Sequence, residues 1–472
     1  KRLREVFIVE PDINLFKSVL KEFDISKIIK LKVTLYLNVS FQVASQLLER
    51  YAFHNTVNVG FVSHVSYRSL YQGYYESMNE FIAKHLQKVM VSLRTEHKFI
   101  HMWIKNQMSN MKHDSIPAER VIEKLKGVPA ILVSAGPSLD KNAHLLNDVK
   151  DRALIVAVGS ASRILHNKGI VPHLRVALDA QPHEKAALGE DIDTQAAPLL
   201  YTDYLYDGIL PDYKGPKIKM ISEIDYCNKY LYNKANIPYI SIGTGFSVAN
   251  VVFYFMCAMN CSKIIFMGQD MCYTGNRNYA DGSWLDDKRN KVFDENSIRR
   301  KNIYGEDVYT NRVYLGIKSY FEEGVKRHPN IQFTNCSEGG LGIDNVPNRK
   351  LVDVLDELPY DINVKEMLNS ALLKDDTLKQ GDKLIYDAVL EMEKELDSVI
   401  EINNERVKRL KRVKKYVDKR VRLEGQLAEL NKMNTFQEQL KKIPFYTDVI
   451  EKQLRSIFLS IRWSNKYKGD DK

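Results

Sequence analysis

The sequence is poor in cysteine and has no long apolar run. It holds five cysteines, an odd number without a Cys-x-x-Cys pair. This disfavours a disulfide framework or a zinc site and predicts small buried thiols. The longest nearly pure apolar stretch runs only from Val251 to Met259, about half of the ~18 residues that a membrane-spanning helix needs. No stretch resembles a signal peptide, so we expect a cytoplasmic protein without a membrane partner.

The excess of positive charge is modest and partly local. Lys and Arg number 69 against 60 for Asp and Glu, a net charge of +9, which suits polyanions, phosphate-bearing metabolites or acidic partners. A basic run over residues 406–422 lies on a predicted helix. Such a run is usually a solvated face, and a face that binds a polyanion or an acidic protein is the alternative. Aromatic residues do not interleave it tightly, so we expect no nucleic-acid partner.

The chain is long enough for about three domains, and glycine and proline usage divides it. From residue 361 onward there are three glycines and one proline among heptad-like apolar residues, which predicts long helices with a break near Gly425 or Pro444. Earlier, short apolar runs alternate with helical stretches. We expect an α/β protein with a smaller N-terminal α/β domain and helical connector (1–115), a central doubly wound, Rossmann-like, mostly parallel sheet (116–350) and a C-terminal helical bundle (351–472).

Small or acidic residues follow several predicted strands, at the edge where open α/β sheets bind ligands. The turn Gly136-Pro137-Ser138 leads into a predicted helix, whose backbone N–H groups would suit a phosphate. The alternative is an ordinary turn with Ser138 as helix cap. Gly159-Ser160 repeats the arrangement one strand later. Asp179 ends the next strand, where it would accept a hydrogen bond from a ribose hydroxyl or a base amine, or merely begin a loop.

Two later loops carry further polar candidates. Thr244, Gly245 and Ser247 precede an apolar helix, which they either cap or join in binding a ligand. The loop over residues 266–281 is rich in hydrogen-bonding groups and includes Asp270, Tyr273 and Tyr279. Two phenols six residues apart can both donate to a leaving phosphate.

The histidines do not form a recognisable site. Those near predicted loops are His166, His173, His183 and His328. None has a carboxylate or cysteine at ligand spacing, so we interpret them as surface or structural residues and expect no metal.

Four of these segments, in order, resemble the motility-associated factor (Maf) glycosyltransferases of flagellated bacteria. They are Pro129–Asn142, Ala153–Gly159, Met267–Gly275 and Thr334–Gly340. The resemblance covers mainly residues 115–350. It implies a central domain similar in fold to the bacterial sialyltransferases that use CMP-activated nonulosonic acids.

The resemblance also implies a reaction and its participants. A pseudaminic or legionaminic type of sugar would pass from CMP to Ser or Thr hydroxyls of flagellin, with the CMP-sugar as donor and without a metal or other cofactor. The donor-binding positions would be Gly136, Pro137, Ser138, Gly159, Ser160, Thr244, Gly245, Tyr273 and Tyr279. The histidine that serves the related enzymes as base is missing near residues 309–311. Asp270, Tyr309 and Glu338, in that order, are the candidates for the general base.

Two other functions stay open. Related domains occur in pterin pyrophosphokinases, where the same turn would hold ATP phosphates, although those enzymes need Mg²⁺ and a shorter chain. A non-catalytic, chaperone-like flagellin-binding protein with a nucleotide pocket is the second. A homo-oligomer is also compatible with the sequence.

Overall fold

The computed structural model describes residues 6–26, 33–40, 65–189, 195–275, 277–284, 297–418 and 423–454, together with residues 43, 62 and 193. The chain divides into two compact units, Lys1–Phe99 with Arg455–Lys472 and Ile100–Leu454. The domain boundaries expected near residues 115 and 350 stay predictions.

The first unit contains two parallel strands that pair with each other and a helix between them in the sequence. Strands β1 (Val6–Glu10) and β2 (Val33–Leu37) pair in register, and α1 (Ile13–Glu22) lies between them in the chain. Asp12 caps this helix because its side chain accepts hydrogen bonds from the N–H groups of Asn14 and Leu15. The helices α2 (Val65–Leu70) and α3 (Gln72–Asn110) follow.

The second unit is built on a parallel sheet of eight strands. In chain order its strands are β3 (Ile116–Pro117), β4 (Ala130–Val133), β5 (Leu154–Val158), β6 (Leu174–Ala177), β7 (Leu199–Tyr201), β8 (Lys217–Lys219), β11 (Lys263–Met267) and β14 (Gln332–Asn335). Two smaller pairings complete the strands, a parallel one between β9 (Ile221–Ser222) and β10 (Ser241–Ile242) and an antiparallel one between β12 (Ile298–Lys301) and β13 (Asp307–Thr310).

The helices of this unit after α3 are α4 (Ala118–Lys124), α5 (Leu139–Asn142), α6 (Leu146–Val149), α7 (Ser160–Asn167), α8 (His183–Leu188), α9 (Tyr226–Lys234), α10 (Val248–Ala258), α11 (Arg312–Arg327), α12 (Leu351–Leu355), α13 (Val364–Ala371), α14 (Asp376–Asp418), α15 (Leu423–Lys441) and α16 (Glu451–Gln453). Short 3-10 turns at Ala143–Leu145 and Lys150–Arg152 and a π-helical turn at Tyr446–Ile450 join some of them.

Alternate residues of the strands build two cores, one on each face of the sheet. In β4, Ala130 and Leu132 pack in the core that α10 and α11 cover. Ile131 and Val133 pack in the opposite core with α7. Both faces are therefore buried, as a doubly wound parallel sheet requires, and the predicted fold class is confirmed. The long apolar run around Val251 is α10, which covers one face.

The order of the strands creates a crevice at the middle of the sheet. The order is β14-β11-β4-β5-β6-β7-β8-β3. From β4 the chain adds strands in one direction as far as β8, and it later returns to place β11 on the other side of β4. Ligands bind at such a reversal in open α/β sheets, outside the carboxyl ends of the two strands.

The C-terminal helices α14 and α15 form an antiparallel pair. Val399 and Leu440 share a small core, and Arg409 Nη1 lies 3.1 Å from Glu429 Oε2. Helix α15 contains Gly425 and ends at Lys441, close to Pro444, which is one of the two positions where the sequence predicted a break. Of the basic run, residues 419–422 lie outside the described residues.

Two expectations about what the chain lacks can be compared with the structure. All five cysteines are buried and unpaired with one another, which confirms their predicted role as small apolar residues. In the part of the chain that the structure describes, no helix is both long and apolar enough to cross a membrane.

Candidate functional site

Two glycine turns meet at the crevice between β4 and β11. The N–H of Gly136, after β4, donates to the carbonyl of Gly268, after β11, at 2.8 Å. A Cβ on Gly136 would lie 2.4 Å from that carbonyl oxygen. Gly268 has a φ of +62°, and its Cβ would lie 2.1 Å from the carbonyl oxygen of Ser134. The two turns therefore touch backbone to backbone, which only glycine allows.

Asp270 is hydrogen-bonded to the turn that follows β4. Its carboxylate accepts a hydrogen bond from the Ser138 N–H at 2.9 Å and a second, short one from the Ser138 hydroxyl. Asp270 is only 2% exposed, and burial raises the pKa of its carboxyl to about 6 although both hydrogen bonds oppose the rise. Ser138 precedes the four-residue helix α5 and makes no side-chain cap bond. The predicted turn is present, and it leads into this short helix.

A cavity of about 280 Å³ opens in front of these turns. Its wall comes from the segments after β4, β5, β6 and β11, from the first turn of α10 and from α11. The residues proposed from the sequence that line it are Gly136, Gly159, Ser160, Asp179, Ser247, Asp270 and Tyr279. Ser247 both caps α10, by accepting from the Asn250 N–H at 3.3 Å, and lines the cavity. The capping role is therefore confirmed, and ligand binding by this serine stays a prediction.

Seven of the residues proposed from the sequence are not among the described residues that line the cavity. They are Pro137, Ser138, Thr244, Gly245, Tyr273, Tyr309 and Glu338. The Thr244 N–H donates to Glu223 Oε1 at 3.0 Å. Glu338 Oε1 accepts from Asn142 Nδ2 at 3.0 Å and from the Leu351 N–H at 3.3 Å. These two side chains therefore hold loops together beside the cavity.

Tyr273 and Tyr309 pair through their backbones. The Tyr273 N–H donates to the Tyr309 carbonyl at 2.8 Å. The Tyr273 hydroxyl accepts from Asn311 Nδ2 at 2.5 Å, and Asn311 caps α11. The Tyr273 ring lies 5.6 Å from that of Tyr314 in the first turn of α11, and Tyr314 does line the cavity. The two phenols in the wall are thus Tyr279 and Tyr314.

Tyr314 was missed from the sequence because α11 follows the motif loop by more than thirty residues. Burial raises the pKa of its hydroxyl well above the usual value, and the phenols of Tyr279 and Tyr273 add to the rise. The hydroxyl therefore stays protonated and able to donate. Asn278 in the same wall has a buried Oδ1 without a hydrogen-bond partner among the described residues.

A second group that the sequence did not reveal lies where β6 leads into α8. His183, Glu184 and Trp284 line the cavity beside Asp179. Burial, and then the neighbouring Asp179 carboxylate, raise the pKa of Glu184 to about 8. Burial therefore favours the protonated form of Glu184. The spacing of four residues between Asp179, at the end of a predicted strand, and His183 was the available signal.

Metal ligands do not cluster in the described part of the chain. No group of three or more His, Cys, Asp and Glu side chains there is arranged to hold an ion. The N–H groups of Gly136 and Ser138, expected from the sequence to face a phosphate, are bonded to Gly268 and Asp270 instead. The donors that the cavity offers to an anionic phosphate are therefore hydroxyls and phenols.

Comparisons with known proteins agree with this architecture. Residues 103–276 match the family model of the 6-hydroxymethylpterin diphosphokinase MptE-like proteins. No curated protein sequence matches significantly. The solved structure of the MAf glycosyltransferase from Magnetospirillum magneticum AMB-1 is similar, with a TM-score of 0.61 and 18% identity over 96% of this chain and 68% of that one. The chain therefore has the fold of a Maf glycosyltransferase with an MptE-like region at its centre, and the resemblance expected from the sequence is confirmed at the level of the fold.

Proposed function

We propose that the chain is a glycosyltransferase that moves a nonulosonic acid of the pseudaminic or legionaminic type from CMP to Ser or Thr hydroxyls of flagellin. The observation that supports this most is the cavity at the strand reversal, within a fold shared with a Maf glycosyltransferase. Its volume is close to the lower end for ligand sites, roughly 300 Å³. A pocket of this size suits the nucleotide part of the donor, with the sugar towards the opening.

The side chains that line the cavity can stabilise a phosphate group as it leaves the sugar. When the bond between the sugar and CMP breaks, negative charge grows on the phosphate oxygens. Hydroxyl donors from Tyr279 and Tyr314, which both line the cavity, can stabilise that charge. We propose that these donors suffice and that transfer needs no metal. The pair differs from the Tyr273 and Tyr279 pair that the resemblance implied.

Transfer to flagellin is the test. The protein is co-expressed with flagellin and the enzymes that make a CMP-nonulosonic acid, and the intact mass of flagellin is measured. We expect added sugar masses with the wild type. The Tyr279→Phe, Tyr314→Phe double variant should lose most of them, while Tyr386→Phe, at a tyrosine 62% exposed on α14, should not. Unmodified flagellin beside folded wild-type enzyme would refute the proposal.

One observation favours a second function. The family model over residues 103–276 carries the name of a 6-hydroxymethylpterin diphosphokinase, and the same cavity could hold the phosphates of ATP. The purified protein would then release AMP from ATP in the presence of 6-hydroxymethylpterin and Mg²⁺. Release of AMP together with unmodified flagellin would favour this function over the first.

A further inference from the structure

A histidine and an aspartate stand together in the cavity wall. His183 Nε2 lies 3.4 Å from Asp179 Oδ2. The imidazole also stacks on Trp284, with ring centroids 5.6 Å apart and planes inclined by 10°. The aspartate and the indole thus hold the ring from two sides, while 39% of the His183 side chain stays exposed. A ligand in the cavity can therefore reach it.

We propose that His183 is the general base of the transfer reaction and that Asp179 positions it. The inference rests on the function proposed above and names the residue that accepts the proton of the acceptor hydroxyl. Imidazole is the commonest general base of enzymes, and a carboxylate beside one ring nitrogen stabilises the cation that forms when the other nitrogen is protonated.

The other candidates for the base are less suitable because their oxygens are already engaged or distant. Both Asp270 oxygens accept hydrogen bonds from Ser138, and only 2% of the residue is exposed. Glu338 lies outside the cavity lining, with its Oε1 bonded to Asn142 and Leu351. Tyr309 also lies outside the lining. His183 combines exposure to the cavity with a neighbouring carboxylate.

The charges around His183 suit the reaction. The Asp179 carboxylate lies 3.4 Å from the imidazole. A carboxylate at this distance attracts the imidazolium that forms when the ring accepts a proton.

The chemical step balances as follows. The oxygen of the acceptor Ser or Thr forms a bond to the anomeric carbon of the sugar, and the bond from that carbon to the phosphate oxygen breaks. The electron pair of the broken bond leaves with CMP. The hydroxyl proton moves to His183, which later releases it to solvent.

The test compares steady-state transfer by the wild type, His183→Gln and His144→Gln. His144 is exposed and lies away from the cavity, so it serves as the matched control. CMP release is measured with flagellin as acceptor. We expect His183→Gln to lower kcat by about 10²- to 10⁴-fold, with the KM for the donor changed less than about twofold. The control should keep wild-type kinetics, and CMP binding measured by calorimetry should be unchanged in both variants.

A third variant distinguishes chemistry from structure. In His183→Ala, added imidazole should raise kcat at least tenfold, because the free base can occupy the space that the side chain leaves. An unchanged kcat in His183→Gln, a loss confined to the donor KM, or a loss in His183→Ala that imidazole does not relieve would each overturn the inference. These outcomes presuppose an active wild type. A wild type that releases no CMP refutes the proposed function itself.

Discussion

Replacing Asp270 by asparagine tests whether burial beneath the turn after β4 destabilises the ionised form of its carboxyl group. Burial raises the pKa of this group from its usual 3.8 to about 6. Between these values the folded protein keeps a proton that the unfolded chain has released. The free energy of unfolding of the wild type therefore falls as the pH rises through this interval and levels off above it. Asparagine cannot ionise, so Asp270→Asn lacks this fall.

The size of the effect follows from the width of the interval. From 3.8 to about 6 is roughly two pH units, and each is worth ~1.4 kcal/mol, so ionised Asp270 costs the folded protein about 3 kcal/mol. The asparagine Oδ1 can still accept from the Ser138 N–H, and its Nδ2 can donate to the Ser138 hydroxyl. At pH 4 the two proteins should therefore differ by less than about 1 kcal/mol.

Urea unfolding followed by tryptophan fluorescence between pH 4 and pH 7 measures this difference. The stability of Asp270→Asn relative to wild type should increase by about 3 kcal/mol across the range. The exposed Asp353→Asn corrects for the loss of one carboxyl group from the chain. The difference in the free energy of unfolding between Asp270→Asn and wild type could instead stay constant within about 0.5 kcal/mol, or shrink with rising pH. Either result would show that burial does not destabilise the ionised form of Asp270.

Two further predictions concern the packing around the cavity. Gly268→Ala should destabilise the protein by more than about 2 kcal/mol, because the added Cβ would lie 2.1 Å from the Ser134 carbonyl oxygen. Gly305 also has a positive φ, but a Cβ there would have no atom within 4 Å, so Gly305→Ala should cost about 1 kcal/mol. Equal shifts of the two thermal midpoints would contradict the contact. Asn110→Ala should cost about 2–3 kcal/mol, since it leaves two buried carbonyls after β7 without the donors now at 3.1 and 2.6 Å. Urea unfolding beside the exposed Asn369→Ala would measure this cost, and equal stabilities would refute it.

The strands and their ends could be predicted because they depend on neighbouring residues. An apolar run followed by glycine, as at Val133 and Gly136 or at Met267 and Gly268, marks both a buried strand and its exit. Helix α10 was equally visible, since Ser247 precedes an apolar stretch. The bonding of Ser138 to Asp270 in place of a helix cap was not visible, because the two residues lie 132 positions apart in the sequence.

The side chains of the cavity were only partly predictable. Gly136, Ser160, Asp179 and Tyr279 follow strands or lie in a polar loop, so local pattern identified them. Tyr314 enters the wall from α11. Its position depends on the packing of α11 against α10, which the helix sequences do not show by themselves. The same holds for Glu338, a candidate base that instead bonds Asn142 across the loops.

From the order of its amino acids alone, the chain settles its α/β class, most of its strands and the glycine turns that follow them. These are local properties, set by hydrophobic period and by backbone freedom. Tertiary structure alone decided that β11 returns beside β4 and brings Gly268 against Gly136. It also brought Trp284 against His183. Contacts between residues so far apart depend on how strands and helices pack, and that packing places the chemistry of this protein in one cavity.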